Sequence, residues 1–347
     1  MTEAVRRLNP PPFPPFPPQD CVLQFPLDHY LHVGAPTEWW WHIGTLTAGG
    51  RVFGFELNAA HMGEIYFTQV MLTDVQNGKH YKQTVVQSGT PTWAESDPTQ
   101  DWYAGLGDPR GSAYIAMKAP RANPTDMTVH AALVDADTGT LVTFALRLTQ
   151  AGAPFIVWGS GVMPFPPNPG GLQTNNYYYS LTNLQASGSI TLAAETFAVT
   201  GVTWMDHEYG FFGPPGSTVK WFLQDMQLDN GVSISNSASF TTEPPKYGVP
   251  TTSTATIQYP DGTIYYRADA SMTPTGRTWT SPRGVVFFLE FQVLIPEIGS
   301  FTVVSSVDGQ DFPFPGLPND TYEGVATVTG VFLGESVGGK AWNEQSG

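Results

Sequence analysis

Charged residues and cysteine are both scarce in this sequence. Among 347 residues there are 15 Lys and Arg against 30 Asp and Glu, which gives a formal net charge of −15. A negative surface repels the phosphates of nucleic acids and of anionic lipids, so we expect no nucleic-acid partner. The single cysteine, Cys21, excludes an internal disulfide and indicates a reducing compartment.

Long hydrophobic runs are also lacking. No apolar stretch approaches the roughly 20 residues that a helix needs to cross a bilayer, so we expect no stable membrane insertion. Arg6 and Arg7 lie near the N-terminus, but no apolar segment follows them, so we predict no signal peptide. These features together predict a cytoplasmic protein.

Motifs for nucleotides, metals and serine hydrolysis are absent from the sequence as well. It contains no glycine-rich phosphate loop opening a helix, no Gly-x-Ser-x-Gly motif and no cysteine cluster. Histidines and carboxylates come close in sequence at His29 and His32, at His61 and Glu64, and at residues 206–208. None of these groups has the spacing of a recognised metal site. We therefore expect neither an organic cofactor nor a metal.

Turn-forming residues are abundant and predict an all-β fold. Glycine (36) and proline (31) are frequent and aromatic residues make up 13%, a composition that favours short strands over helices. Glycine-containing turns stand between segments of alternating apolar residues, which is typical of β-hairpins because glycine and asparagine tolerate positive φ. These turns are Gly49-Gly50, Asn77-Gly78, Asp137-Thr138-Gly139, Asp229-Asn230-Gly231 and Asp261-Gly262.

A weak internal repeat predicts two similar domains. In each half a tryptophan, Trp39 or Trp221, lies seven residues before a leucine and shortly before a glycine-containing turn. Sheets of this size with few charges tend to close into barrels, which removes their edges and can enclose a ligand. We predict a proline-rich N-terminal segment at residues 1–20, a first barrel domain at 21–216 and a second at 217–347.

Residues 204–209, Trp-Met-Asp-His-Glu-Tyr, concentrate acidic and aromatic side chains. In an extended strand, alternation places Trp204, Asp206 and Glu208 on one face. His207 and Tyr209 then lie on the other face. Two carboxylates on one face repel each other and burial beside aromatic rings disfavours their charge, so we expect one of them to stay protonated. A protonated acid beside aromatic rings is a candidate proton donor, and a purely structural cap for loop N–H groups is the alternative.

Further aromatic residues complete the candidate site. Trp39 and Trp41 share one face of a predicted strand, and Tyr177 and Tyr179 share one face of another. The tryptophan rings can stabilise a carbocation through their π faces, and a tyrosine hydroxyl can donate to a ligand. Packing inside the barrel is the alternative role for each of them.

Four segments of the chain carry a family resemblance. They are Glu38-Trp39-Trp40-Trp41-His42-Ile43-Gly44, Tyr177-Tyr178-Tyr179-Ser180, Gly201 through Gly210, and Thr321-Tyr322-Glu323-Gly324. In this order they resemble the lipocalin-like family of carotenoid 1,2-hydratase (hydroxyneurosporene synthase). That family also includes lipocalin-like Diels–Alderases and kievitone hydratase.

The resemblance implies two lipocalin- or calycin-like antiparallel β-barrels in tandem, with an apolar pocket. It also implies a cofactor-independent lyase (hydratase) or cyclase that acts at a C=C bond of a hydrophobic isoprenoid or polyene natural product. For such chemistry the catalytic candidates are Asp206, His207 and Glu208, with one carboxyl group as the acid. The substrate-binding candidates are Trp39, Trp41, Tyr177, Tyr179, Trp204 and Tyr209.

Two other functions remain open at this point. A pericyclase of the Diels–Alderase kind would hold a polyene in a reactive conformation and would need no obligatory acid. A lipocalin-type carrier would bind a hydrophobic ligand without changing it, since one fold hosts several functions.

Overall fold

Strands dominate the computed structural model, which describes residues 20–88, 92–108, 113–213, 220–240, 245–313 and 320–346. Within these ranges there is no α-helix, and short 3-10 helices span Leu27–His29 and Gly171–Gln173. The predicted all-β fold is confirmed. No helix in the described ranges has the length and apolar character needed to cross a membrane.

The chain divides into two compact units. The N-terminal unit comprises Val22–Pro154 and Gly161–Phe212. The C-terminal unit comprises the described parts of Phe155–Ser160 and Gly213–Gly347, together with residues 20 and 21. The boundary predicted between residues 216 and 217 lies in 214–219, outside the described residues. Nearly all of the predicted proline-rich segment at 1–20 also lies outside them.

The N-terminal unit is one antiparallel sheet that curls into a nearly closed barrel. Its strands are β1 (Thr37–Ala48), β2 (Arg51–Met62), β3 (Ile65–Asp74), β4 (Lys79–Ser88), β5 (Trp102–Gly107), β6 (Tyr114–Ala119), β7 (Asp126–Val134), β8 (Leu141–Gln150), β10 (Val162–Met163), β11 (Asn176–Leu192) and β12 (Glu195–Gly210). The strand β9 (Phe155–Ile156) belongs to the C-terminal unit. The order across the sheet is β4-β3-β2-β1-β12-β11-β8-β7-β6-β5, and β10 pairs with β11.

The C-terminal unit contains a closed barrel of eight strands. Its strands are β13 (Lys220–Leu228), β14 (Ser233–Phe240), β15 (Thr251–Gln258), β16 (Ile264–Thr280), β17 (Val286–Ile295), β18 (Gly299–Ser305), β19 (Asp311–Pro313), β20 (Asp320–Phe332) and β21 (Glu335–Ser346). Pairing of β18 with both β17 and β20 closes the ring, and β19 adds to β20. Its apolar core includes the buried rings of Phe222, Phe291 and Phe301.

The predicted hairpin turns explain why the sheets are antiparallel. Gly49 and Gly50 connect β1 to β2 with φ values of 56° and 89°. Positive φ at both central residues is strained for most side chains and matches the twist of a tight hairpin. The sequence signal therefore fixes both the position of the turn and the register that follows it, in which Ala48 faces Arg51.

Strands β1, β11 and β12 have an inner face, which lines the N-terminal barrel, and an outer face on the opposite side. Trp40 on β1 packs against Trp102 on β5 with 5.7 Å between ring centroids, although these strands are not neighbours in the sheet. Phe55 on β2 and Phe144 on β8 approach in the same way. Contacts between distant strands cross the barrel interior, so Trp40 marks the inner face. The outer face is also buried in the C-terminal half of β12, at residues 203–210.

Candidate active site

The structure divides the predicted site residues between the two faces of the N-terminal sheet. Trp41 on β1 faces Asp206 on β12 in register, and Tyr179 on β11 faces His207 on β12. The predicted alternation along residues 204–209 therefore matches the observed strand. The outer face carries Trp39, Trp41, Trp204, Asp206 and Glu208, and the inner face carries Tyr177, Tyr179, His207 and Tyr209.

Asp206 is a buried carboxyl group on the outer face, with 4% of its surface exposed. Ser180 Oγ donates a hydrogen bond to Asp206 Oδ1 over 2.5 Å, and Trp204 Nε1 donates to the same oxygen over 2.7 Å. Burial raises the pKa of Asp206 to about 6, while hydrogen bonds from Ser180, Trp204 and Tyr178 act in the opposite direction. The carboxyl group is therefore a proton donor that is loaded below about pH 6.

Aromatic and polar side chains surround this carboxyl group along the outer face. Trp41 lies beside Asp206 on the neighbouring strand and is buried. Trp39 contacts Phe212 edge-on, with 5.4 Å between ring centroids. Glu208 accepts a hydrogen bond from the amide of Asn176. The raised pKa of Asp206 is due mainly to burial rather than to the repulsion between carboxylates expected from the sequence.

A buried polar cluster of Glu56, Asn58 and Gln69 lies on the same outer face. Asn58 faces Trp41 across β1 and β2, and it faces Gln69 across β2 and β3. Asn58 Nδ2 donates to Glu56 Oε1 over 2.9 Å and to Gln69 Oε1 over 3.0 Å. At most 1% of any of the three residues is exposed. A row of polar and aromatic side chains thus runs in register from Gln69 through Trp41 to Asp206.

The inner face carries a separate chain of hydrogen bonds. His207 Nε2 lies 2.9 Å from Glu38 Oε1, and His207 Nδ1 lies 3.2 Å from Tyr179 Oη. Tyr179 Oη also lies 2.5 Å from His29 Nδ1. At the other end of the chain, His32 Nδ1 lies 2.9 Å from Glu38 Oε1. These contacts attach the segment around the 3-10 helix Leu27–His29 to β1, β11 and β12.

The charges of this inner network follow from its partners. Burial alone would raise the pKa of Glu38, but hydrogen bonds from His207 and His32 lower it to about 2. Burial lowers the pKa of His32, but the carboxylates of Asp28 and Glu38 outweigh that effect and raise it to about 9. Burial lowers the pKa of His207. At neutral pH the network therefore pairs an ionised Glu38 with a protonated His32, and neutral His207 donates to Glu38 through Nε2.

One group among the described residues has ligand atoms close enough for a metal ion. One ligand atom each from His32, Glu38 and His207 lies within 4.8 Å of the other two. Hydrogen bonds join these same atoms in the network. Spacing in the sequence pairs His29 with His32. The fold instead brings His32 together with Glu38, which is six positions away in the chain, and with His207, which is 175 positions away.

Sequence reasoning missed the cluster of Glu56, Asn58 and Gln69 and the role of Ser180 as a donor to Asp206. A signal for the cluster exists in β2, where Glu56 and Asn58 are the polar residues, two positions apart, of the otherwise apolar stretch 52–60. Residues two apart share a face, so they predict a polar patch opposite the apolar face formed by Phe55 and Leu57. No local pattern indicates the contact of Glu38 with His207, because these residues are 169 positions apart.

The fold and the buried acid define a class of protein: a lipocalin-like chain with two antiparallel barrels and an acidic site on the first. The chain belongs to the AttH-like family, whose family model matches residues 17–347. This membership, together with the structural neighbours, confirms the resemblance that the sequence motifs indicated. A search of the curated proteins found no match to the sequence.

Solved structures share this architecture. A putative AttH from Nitrosomonas europaea superposes with a TM-score of 0.73 and 22% sequence identity, covering 96% of this chain and 99% of that one. Kievitone hydratase from Nectria haematococca superposes with a TM-score of 0.69 and 17% identity, covering 96% of this chain and 98% of that one. At these identities the likeness establishes the fold alone, so the function has to be inferred from the residues of the site.

Proposed function

We propose that this protein is an enzyme that protonates a C=C bond of a hydrophobic isoprenoid or polyene substrate, leading to hydration or cyclisation. The observation that carries the proposal is Asp206, a buried carboxyl group whose pKa is raised to about 6 by burial beside Trp41 and Trp204. An acid of this strength, held away from water, can transfer its proton to a substrate at near-neutral pH. The reaction uses only a proton and, for hydration, water, so it requires no organic cofactor.

The hydrogen bonds to Asp206 are suited to this role. Ser180 and Trp204 both donate to Oδ1, so negative charge that develops on the carboxyl group during proton transfer is stabilised by two neutral donors. Such preorganised donors act strongly in a site of low dielectric constant. They also fix the plane of the carboxyl group, because each donor is held by its position in the sheet.

The aromatic rings of the outer face supply the second requirement, stabilisation of a carbocation. Protonation of an isolated trisubstituted alkene leaves a tertiary cation, which is attracted to the π face of an indole ring by roughly 0.5–2 kcal/mol. Trp41 lies beside Asp206 in register, and Trp39 lies two residues earlier on the same face. We assign these rings, with Trp204, to the substrate-binding surface.

The inner-face residues receive a supporting role in this proposal. His207 hydrogen-bonds to Glu38 and Tyr179 on the side of β12 opposite to Asp206. It therefore holds the strand in position and does not contact the reacting carboxyl group. Tyr177 and Tyr209, whose rings stack with 5.1 Å between centroids, likewise belong to the packing of the inner face.

Kievitone hydratase shares the fold, and its name denotes a hydratase. This supports the reaction class and leaves the substrate open. A pericyclase would rely on the shape of the apolar surface and would not depend on Asp206. A carrier would return its ligand unchanged.

The test is an incorporation assay in D2O with lycopene, squalene and geranylgeraniol as probes, each of which carries trisubstituted C=C bonds. We expect deuterium on carbon in the product of the wild-type enzyme and none with Asp206→Asn. The matched control is Asp137→Asn, because Asp137 is an exposed residue on a hairpin turn. Turnover that survives Asp206→Asn would refute acid chemistry and favour a pericyclase. Tight binding with unchanged probe would favour a carrier.

A further inference from the structure

The hydrogen bonds within the cluster of Glu56, Asn58 and Gln69 determine how its two amides are oriented. Asn58 Oδ1 accepts a hydrogen bond from the main-chain N–H of Gln69 over 2.9 Å. Asn58 Nδ2 must then be the group that faces Glu56 and the Gln69 side chain, and an N–H group requires an acceptor there. The atom of Gln69 that meets Asn58 is therefore Oε1, and the amide nitrogen Nε2 points elsewhere.

Gln69 Nε2 is consequently a buried donor with no hydrogen-bond partner among the described residues. A buried N–H group without an acceptor costs about 1–3 kcal/mol, so such groups in native proteins are usually satisfied by water or by a ligand. Water binds in a buried site when several polar groups surround it. Glu56 belongs to the same hydrogen-bonded cluster and provides carboxylate oxygens, which accept hydrogen bonds from water.

The position of this cluster relative to Asp206 suits the addition of water to a double bond. Asp206 faces Trp41, and Glu56 faces Ile43, across the intervening strand β1. The two carboxyl residues are thus two strands and two positions apart, a Cα separation of about 12 Å in standard strand geometry. Inverting glycosidases separate their acid and base carboxyl groups by roughly 6.5–9.5 Å to fit a water beside the substrate. Asp206 and Glu56 would need a comparable separation between their carboxyl groups to hold a water beside the substrate, and Trp41 lies on β1, the strand between them.

We propose that Gln69 and Glu56 hold the water molecule that adds to the substrate C=C bond, with Glu56 as the base. This inference rests on the proposed function and selects hydration over cyclisation. Asp206 gives its proton to one alkene carbon, so the π bond breaks, a C–H bond forms and a cation remains on the other carbon. The water oxygen forms a C–O bond to that cation and loses a proton to the Glu56 carboxylate. Exchange with solvent returns the proton to Asp206, and the net reaction is alkene plus water to alcohol.

A crystal structure of the full-length protein tests the water site without any substrate. We expect an ordered water within hydrogen-bond distance of both Gln69 Nε2 and a carboxylate oxygen of Glu56. This water should be lost in Gln69→Leu, which removes the donor. Absence of the water from the wild-type structure, or its persistence in Gln69→Leu, would overturn the inference.

The D2O assay with the same three probes tests the catalytic role. Glu56→Gln keeps the shape of the side chain and should lower kcat for alcohol formation about 100-fold or more, with little change in KM. Deuterium should still enter recovered alkene, because Asp206 still protonates the substrate. Gln69→Leu should lower kcat about 10-fold. The matched controls are Glu195→Gln and Gln185→Leu, at exposed positions of β12 and β11.

The outcomes separate this inference from the proposed function. If Asp206→Asn abolishes deuterium incorporation but Glu56→Gln forms alcohol at the wild-type rate, the acid stands and the assignment of the base is wrong. If the wild-type protein converts none of the three probes, the proposed function is refuted for these substrates. The crystal structures then decide the water site by themselves.

Discussion

Replacing Asp206 by asparagine should make the protein more stable at alkaline pH, although the proposed function predicts that the same substitution removes activity. The amide oxygen of asparagine can still accept the hydrogen bonds from Ser180 and Trp204, so packing and donors are retained. What the substitution removes is the free energy needed to ionise a buried carboxyl group. Active-site groups that are held in an unfavourable state commonly show this exchange of stability for function.

The size of the effect follows from the raised pKa. In the folded protein Asp206 keeps its proton up to about pH 6, whereas in the unfolded chain it releases it near 3.8. A folded-state pKa above the unfolded value means that wild-type stability falls as the pH rises from 3.8 to 6. At 1.36 kcal/mol for each pH unit, the loss is about 1.6 kcal/mol at pH 5 and about 3 kcal/mol at pH 8. The asparagine variant has no corresponding loss, because its side chain does not ionise.

Urea unfolding of both proteins at pH 5 and pH 8 measures the effect. The stability advantage of Asp206→Asn over the wild type should grow by about 1.4 kcal/mol between the two pH values. Low protein concentration is needed at pH 5, which is close to the isoelectric point of about 4.7. A difference that is the same at both pH values, or that favours the wild type more at pH 8, would show that Asp206 is ionised in the folded state.

Three further predictions concern the stability of the N-terminal barrel, two of them with a control substitution elsewhere in the chain. The carboxylate partners of His32 raise its pKa to about 9, so its protonated ring contributes about 3 kcal/mol to the free energy of unfolding below pH 6.5. This contribution is lost as the pH rises through 9, so the urea unfolding curves of the wild type and of His32→Gln should converge by pH 10. Tyr179→Phe leaves buried histidine nitrogens unpaired and should cost about 2–3 kcal/mol in urea unfolding, against almost nothing for exposed Tyr247→Phe. Gly201→Ala would place a Cβ 2.4 Å from a main-chain oxygen and should lower the free energy of unfolding by about 3 kcal/mol. Gly338→Ala is the control, because its Cβ would meet a movable side-chain oxygen at 3.0 Å and a main-chain oxygen only at 3.9 Å.

Local patterns in the sequence were sufficient to predict several of the strands and hairpin turns. The pair Gly49-Gly50 predicted a hairpin because few other residues tolerate positive φ at both positions, and the structure has that turn. Alternation along residues 204–209 predicted which side chains share a face, since successive residues of a strand point to opposite sides. Both predictions depend on residues close together in the chain.

The sequence did not show which face lines the barrel. At residues 203–210 of β12 both faces are buried, so alternation yields two sets of residues without indicating which set lies inside. His207 and Asp206, both predicted as catalytic candidates, project from opposite faces of the strand, as the alternation predicts. The partners of His207 depend on register across β1 and β11, which is a property of the whole sheet.

Two buried carboxyl groups on adjacent strands show why the partners decide which one can act as an acid. Glu38 and Asp206 are both almost completely buried, and burial alone raises the pKa of each. Glu38 is hydrogen-bonded by two histidines, one of them protonated, and its pKa falls to about 2. Asp206 has only neutral donors, so burial prevails and its pKa rises to about 6. In enzymes, two carboxyl groups whose pKa values are shifted in opposite directions commonly have different roles. In this barrel the ionised group stabilises the strand, and the neutral group retains a proton to give.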